Sequence, residues 1–230
     1  MNLLTIETAT ETCSVALAVG TALQERYEHA PRKHAELLLP WVQQLMAEAG
    51  IGFNALDGIA FSRGPGSFTS LRIGIGIVQG LAWAADRPVI PVSSLAATAQ
   101  VAAQQGISSA LVALDARMNE VFTGAFALND RGIMVPAGPE RVCSPADVSL
   151  PDRSGTVGVG IGFARYEALE KLASQLQDVR PDVWPRASAV SRLAQEWLRE
   201  HEALPAEQAQ PVYLRDNVAK KSRVNRAAHR

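Results

Sequence analysis

Three strand-like segments follow one another before the first helix, and that order constrains the fold more than any other feature. Residues 3–8, Leu-Leu-Thr-Ile-Glu-Thr, are apolar and β-favouring. Cys13, Val15, Leu17 and Val19 then alternate with smaller residues, and Gly20-Thr21 turns the chain into a third strand over 23–29. A helix is predicted next, with Leu38, Trp41, Val42, Leu45 and Ala49 at helical period and Gly50 closing it. Pro40 falls in its first turns, where proline is tolerated or marks the start. A strand over 58–62, the turn Gly64-Pro65-Gly66, a long helix to Ala85, a strand over 88–92 and a helix over 94–105 follow. The order β-β-β-α-β-α-β-α describes an α/β unit with an antiparallel meander on one side, not a plain alternating parallel sheet.

The second half is less regular. Residues 110–116 and 120–127 read as two strands joined by Arg117-Met118-Asn119, with Asn119 suited to positive φ. Residues 129–155 read as loops with one short element, followed by a strand over 156–161 and helices over 164–176 and 188–201. The chain closes on a segment over 211–217, and no internal repeat is visible. The split that this order implies is a lobe over 1–105 and a second over 106–230.

Charge narrows the partners. The net charge of −1 conceals a tail, residues 220–230, with five basic residues and no acid, against 17 basic and 23 acidic residues in the rest. An acidic body is a poor clamp for nucleic acid, because phosphate must be neutralised by a basic surface. The tail is either a solvated end or a contact to RNA. Cys13 and Cys143 match no metal or redox spacing, the N-terminus reads as a strand rather than a signal peptide, and the apolar stretch Leu71–Ala85 is broken by Arg72 and Gln79. A cytoplasmic protein without membrane contact is expected.

The long helix carries the main functional signal. Gly74, Gly76 and Gly80 lie inside it, too late for a dinucleotide fingerprint. Each interior glycine costs about 1 kcal/mol relative to alanine, so three need a reason. The wheel places Gly74, Ile77, Val78, Leu81 and Ala85 toward the sheet. Arg72, Gly76, Gln79, Gly80 and Trp83 fall opposite, with Ile73 beside them. A solvated face normally carries charge there; glycines plus one tryptophan suit close approach by another helix, with Leu39, Val42 and Met46 of the first helix contributing. Burial against this chain's own helices is the competing reading.

Other motifs are weaker. Ser67 is placed as an N-cap after Gly64-Pro65-Gly66; the turn is either an anion site or, as favoured here, a tight turn packed on backbone. The four histidines form no ligand pair at helical spacing, and Cys13 reads as a small buried hydrophobe. Glu7 and Asp115 end strands where α/β folds place ligands, or cap turns locally. With Ser67 they are the only candidates for a residual ligand site.

Four blocks, taken in order, resemble the TsaB family, formerly YeaZ: Ile6-Glu7-Thr8-Ala9-Thr10; Gly64-Pro65-Gly66-Ser67-Phe68-Thr69 with Leu71-Arg72-Ile73-Gly74; Asp115-Ala116-Arg117-Met118; and Pro211-Val212-Tyr213-Leu214-Arg215. The resemblance implies the actin-like, ribonuclease-H-like (ASKHA) fold of two lobes, with a reduced second lobe. It implies a non-catalytic partner of the paralogue TsaD, acting with the ATPase TsaE, in transfer of threonylcarbamoyl to the adenosine beside the anticodon of tRNAs that read codons beginning with A. Relatives pair through their first two helices, as heterodimers and as homodimers, while ATP and a metal ion belong to the partner subunits. The paralogue's metal-binding histidines fall at Ser94 and Thr98, and hydroxyls are poor ligands for iron or zinc. The segment Ala9–Cys13 has no glycine where ATP-binding relatives carry one. Ser70 and Asn119 replace glycines common in the family. An actin-fold ATPase or metalloenzyme using Glu7 and Asp115, and an RNA-binding module using the tail, are the alternatives.

Overall fold

The structure, a computed structural model, describes residues 1–215; the basic tail lies outside them. In chain order the elements are β1 (Asn2–Glu7), β2 (Thr12–Val19), β3 (Ala22–His29), α1 (His34–Ala49), β4 (Gly58–Gly64), α2 (Phe68–Ala85), β5 (Val89–Ser93), α3 (Ser94–Gln104), β6 (Ser109–Asp115) and β7 (Val121–Leu128). They continue with β8 (Met134–Pro136), β9 (Arg141–Cys143), β10 (Val157–Val159), α4 (Gly162–Arg165), α5 (Glu170–Ala173), β11 (Asp178–Arg180) and α6 (Ala187–Trp197).

The two sheets share one topology. The first runs β3-β2-β1-β4-β5 and the second β8-β7-β6-β10-β11, with β9 also on β7. In each, the leading strand pairs antiparallel with the next and parallel with a later one: β1 with β2 and β4, β6 with β7 and β10. The duplication is one of topology rather than of sequence, and it is the actin-like, ribonuclease-H-like α/β fold. The second copy is the reduced one, since β8, β9, β10 and β11 have three residues each.

Period-two alternation sorts the core. Leu4 and Ile6 of β1 pack with α1 and α2, while Leu3 packs on the opposite face with Val190, Leu193 and Ala194 of α6. In the second sheet Ala110, Val112 and Leu114 meet Leu95, Ala99 and Ala102 of α3, and Leu111 and Ala113 meet Leu169. Thus α6, from the second half of the chain, covers the first sheet. At 18 residues and mean hydropathy 1.2, α2 would pass for a membrane span by composition alone. It is instead the crossover between the adjacent parallel strands β4 and β5.

One expectation needs correction. The helix expected over 164–176 breaks into α4, a 3-10 turn at Glu167–Leu169 and α5. Tyr166 leaves the helical region (φ −122, ψ 105), and its hydroxyl donates to Asp115 Oδ1 at 2.6 Å. The first helix begins at His34, so Pro40 does not mark its start but is tolerated inside it, on the exposed side.

Candidate functional site

The turn after β4 is built for backbone contact. A Cβ on Gly66 would stand 2.2 Å from the Ala9 carbonyl oxygen, and the Ser67 N–H donates to that same oxygen at 2.7 Å. The turn is packed on backbone, and the Ser67 N–H is spent within the chain. Ser67 caps α2, accepting from the Ser70 N–H at 3.5 Å and the Ser70 hydroxyl at 3.0 Å. About two helical turns past the cap, Gly74 brings α2 against β1's end: a Cβ there would stand 2.2 Å from Thr8 Oγ1. This contact rotates the helix from its expected setting. The buried stripe is Leu71, Gly74, Ile75, Val78 and Ala82, whereas Ile77, Leu81 and Ala85 are only half-buried.

The outer face remains open. Outside their own helix, no atom among the described residues lies within 4 Å of a Cβ built on Gly76 or Gly80, so neither glycine has a packing reason among those residues. Trp83 is 74% exposed and Leu39 44%, and Arg72 is exposed beside them. Four other residues expected on this face are placed differently. Val42 and Met46 are buried in the core, because the stripe His34, Leu38, Val42, Leu45 and Met46 is the side that α1 turns inward. Ile73 is half-buried against that core, and Gln79 Nε2 donates to the Ala209 carbonyl at 2.8 Å within this chain.

Between the lobes, the ends of β1 and β6 face each other across a cluster of ion pairs. Glu11, on the turn before β2, pairs with Arg165 of α4 at 2.7 Å and with Arg117 at 3.1 Å; His29 stands 3.8 Å away. Asp115 takes Arg165, Arg117 at 3.2 Å and the Tyr166 hydroxyl. The Arg165 hydrogen bond holds Glu11 below the usual carboxylate range, with burial opposing it. Burial raises Asp115, but Tyr166, the Arg117 N–H and Arg165 together bring it below its ordinary value. The β6–β7 turn is strained, with Arg117, Met118 and Asn119 all at positive φ. Arg215 of the closing segment holds it, donating to the Ala116 carbonyl at 3.0 Å and pairing with Glu120.

Glu7 does not join this cluster. It is fully buried, its Oε1 accepts the Ala9 N–H at 2.5 Å, and Oε2 has no hydrogen-bond partner. Burial pushes its carboxyl up to about 7, against the pull of the Ser62 hydroxyl and the Ala9 N–H. Ser62 Oγ lies near enough to favour the charged form but makes no well-formed hydrogen bond. Cys13 is buried beneath, its thiol raised to about 12 by burial, then by Glu7 and Glu28. Glu7 and Ser67 thus both bond to the Ala9 backbone, while the hydrogen bonds of Asp115 go to Arg117, Arg165 and Tyr166.

The geometry agrees with what comparison with known proteins finds. A family model described as TsaD, tRNA N6-adenosine threonylcarbamoyltransferase, matches residues 26–223. The tRNA threonylcarbamoyladenosine biosynthesis protein TsaB of Escherichia coli (strain K12) is 38% identical over 95% of this chain and 96% of its own. The TsaB of Haemophilus influenzae is 37% identical over 95% of both. The chain belongs to the TsaB family. A solved structure, YeaZ from Pseudomonas aeruginosa, superposes with a TM-score of 0.87 at 43% identity, covering 93% of this chain and 99% of that one.

Within the TsaB frame, the two positions that the resemblance sets against the paralogue's histidines are occupied by committed hydroxyls. Ser94 Oγ donates to the Pro65 carbonyl at 2.6 Å and Thr98 Oγ1 to the Ser94 carbonyl at 2.8 Å, both buried. Sequence reasoning missed Glu11, Arg165 and Tyr166. Arg117 and Arg215 sat inside family motifs without a role.

Proposed function

We propose that this chain is a non-catalytic scaffold subunit in tRNA threonylcarbamoyladenosine biosynthesis. It binds and activates a TsaD-like paralogue so that threonylcarbamoyl reaches the adenosine beside the anticodon of tRNAs reading codons that begin with A. The observation that carries the reading is the outer face of α2. Two interior glycines with open space above them, beside an exposed tryptophan, are a costly arrangement for a solvated helix and a good one for close helix packing.

The same face serves a homodimer when the paralogue is absent. ATP, a metal ion and the TsaE-like ATPase act on the paralogue's side, and tRNA is reached indirectly or through the tail. Support for the non-catalytic part comes from residue chemistry: Glu7 is walled in, Asp115 is spent on Arg165 and Arg117, and Ser94 and Thr98 are spent on backbone.

Native mass spectrometry of the chain with its paralogue tests this. Gly76→Arg and Gly80→Arg are expected to abolish the heterodimer, with the monomer's thermal unfolding kept. Heterodimer persisting in both variants would remove the reading. Metal- or ATP-dependent turnover by the lone chain, lost on Glu7→Ala, would establish the rival view of an enzyme in its own right.

A further inference from the structure

The docking stripe of α2 carries one charge. Phe68, Arg72, Gly76 and Gly80 follow one another at four-residue intervals, so Arg72 sits in a row that is otherwise uncharged. Its guanidinium is stacked: the central carbon lies 3.2 Å from the Phe68 ring centroid and 5.3 Å from that of Tyr213. Both rings are exposed, Phe68 at 58% and Tyr213 at 45%. Among the described residues Arg72 forms no ion pair.

Phe68 covers one face of the guanidinium and Tyr213 flanks it from the side, in a direction nearly at a right angle to that of Phe68, which restricts its orientation. Among the described residues its N–H groups have no carboxylate partner. A second helix laid over Gly76 and Gly80 would take Arg72 out of water. An unpaired cation there would oppose docking, because a desolvated charge needs a counter-charge with hydrogen bonds. The described residues supply none at that point. Resting on the docking reading above, we infer that the partner subunit presents a carboxylate side chain to Arg72, held edge-on by the pre-oriented guanidinium. The aromatic pair with Tyr213 makes the closing segment part of the docking face. A protein carboxylate is favoured over an RNA phosphate because the rest of the stripe is glycine, leucine and tryptophan rather than a run of cations.

The test measures affinity between the full chain and its paralogue by calorimetry at low and high salt, for wild type, Arg72→Met and Arg72→Lys. Arg72→Met keeps length and apolar contact with Phe68 and removes the charge. It is expected to weaken binding at least about 30-fold and to flatten the salt dependence, with Arg72→Lys in between. Circular dichroism checks that each variant is folded. Pairing of wild type with unchanged affinity for Arg72→Met overturns this inference and leaves the docking reading standing. Failure of wild type to pair at all removes the docking reading and this inference with it. Normal pairing by Arg72→Met with loss of tRNA binding to the complex also overturns the inference, since the anion is then a phosphate.

Discussion

Glu7 shows how one side chain can be retained at a cost. Its carboxyl is fully buried, with one oxygen on the Ala9 N–H and the other without a partner. In the unfolded chain it ionises near 4.5, and in the folded chain near 7. The folded state therefore holds the proton more tightly. Stability is lost as pH rises from 4.5 toward 7 and is flat above that range. The difference amounts to an upper bound on the order of 3 kcal/mol. Glu7→Gln keeps the volume and an acceptor for Ala9 while removing the charge. Its denaturant midpoint is expected to exceed that of wild type at pH 8 and to match it at pH 5. Parallel pH profiles for the two proteins would show that Glu7 is not the group responsible.

The glycines of α2 separate packing from docking within one element. Gly74→Ala is expected to destabilise the fold by about 1–3 kcal/mol, because its Cβ would meet the buried Thr8 side chain at 2.2 Å. Gly76→Ala, with open space above it, is expected to stabilise the monomer by up to about 1 kcal/mol, read as the shift in urea midpoint. A loss of stability at position 76 would mean that the position is packed within the chain. Sequence legibility divides along the same line. The strands and helices of the first sheet are readable because their periodicity is local, and Ser67 declares its cap. The facing of α2 is not, because two apolar flanks look alike on a wheel and the Gly74–Thr8 contact decides between them. The internal partner of Gln79 is hidden for a different reason: Ala209 lies 130 residues away. Tyr166 broke a helix that periodicity alone would continue, through a side-chain bond to another strand's end.

Across the whole molecule, the lobes share a packed side and an ionic side. On the packed side α6 and α3 bury Leu3, Ala60, Ile90, Ala97 and Val190 together. On the ionic side Glu11 is the first lobe's contribution, and Arg165 and Arg117 are the second lobe's. These partners are up to 154 residues apart, which is why no spacing in the sequence announces them. Because Asp115, Tyr166 and both arginines belong to the same lobe, Glu11→Gln cuts the link between lobes and leaves the rest of the cluster assembled. The loss is expected to be about 1 kcal/mol, which speeds local opening roughly fivefold. Hydrogen exchange should rise over residues 8–12 and 115–120 and stay unchanged in α6. Glu48→Gln, which breaks an exposed pair with Arg26 inside the first lobe, should leave exchange over residues 8–12 and 115–120 as it is. Arg165 lowers the pKa of Glu11, so the link is intact at neutral pH and is lost as pH falls below the ordinary carboxylate range, through the lowered value. Acidification should then reproduce the Glu11→Gln exchange pattern in wild type and change the variant less. Equal exchange in wild type and Glu11→Gln at neutral pH would mean that the packed side alone holds the lobes.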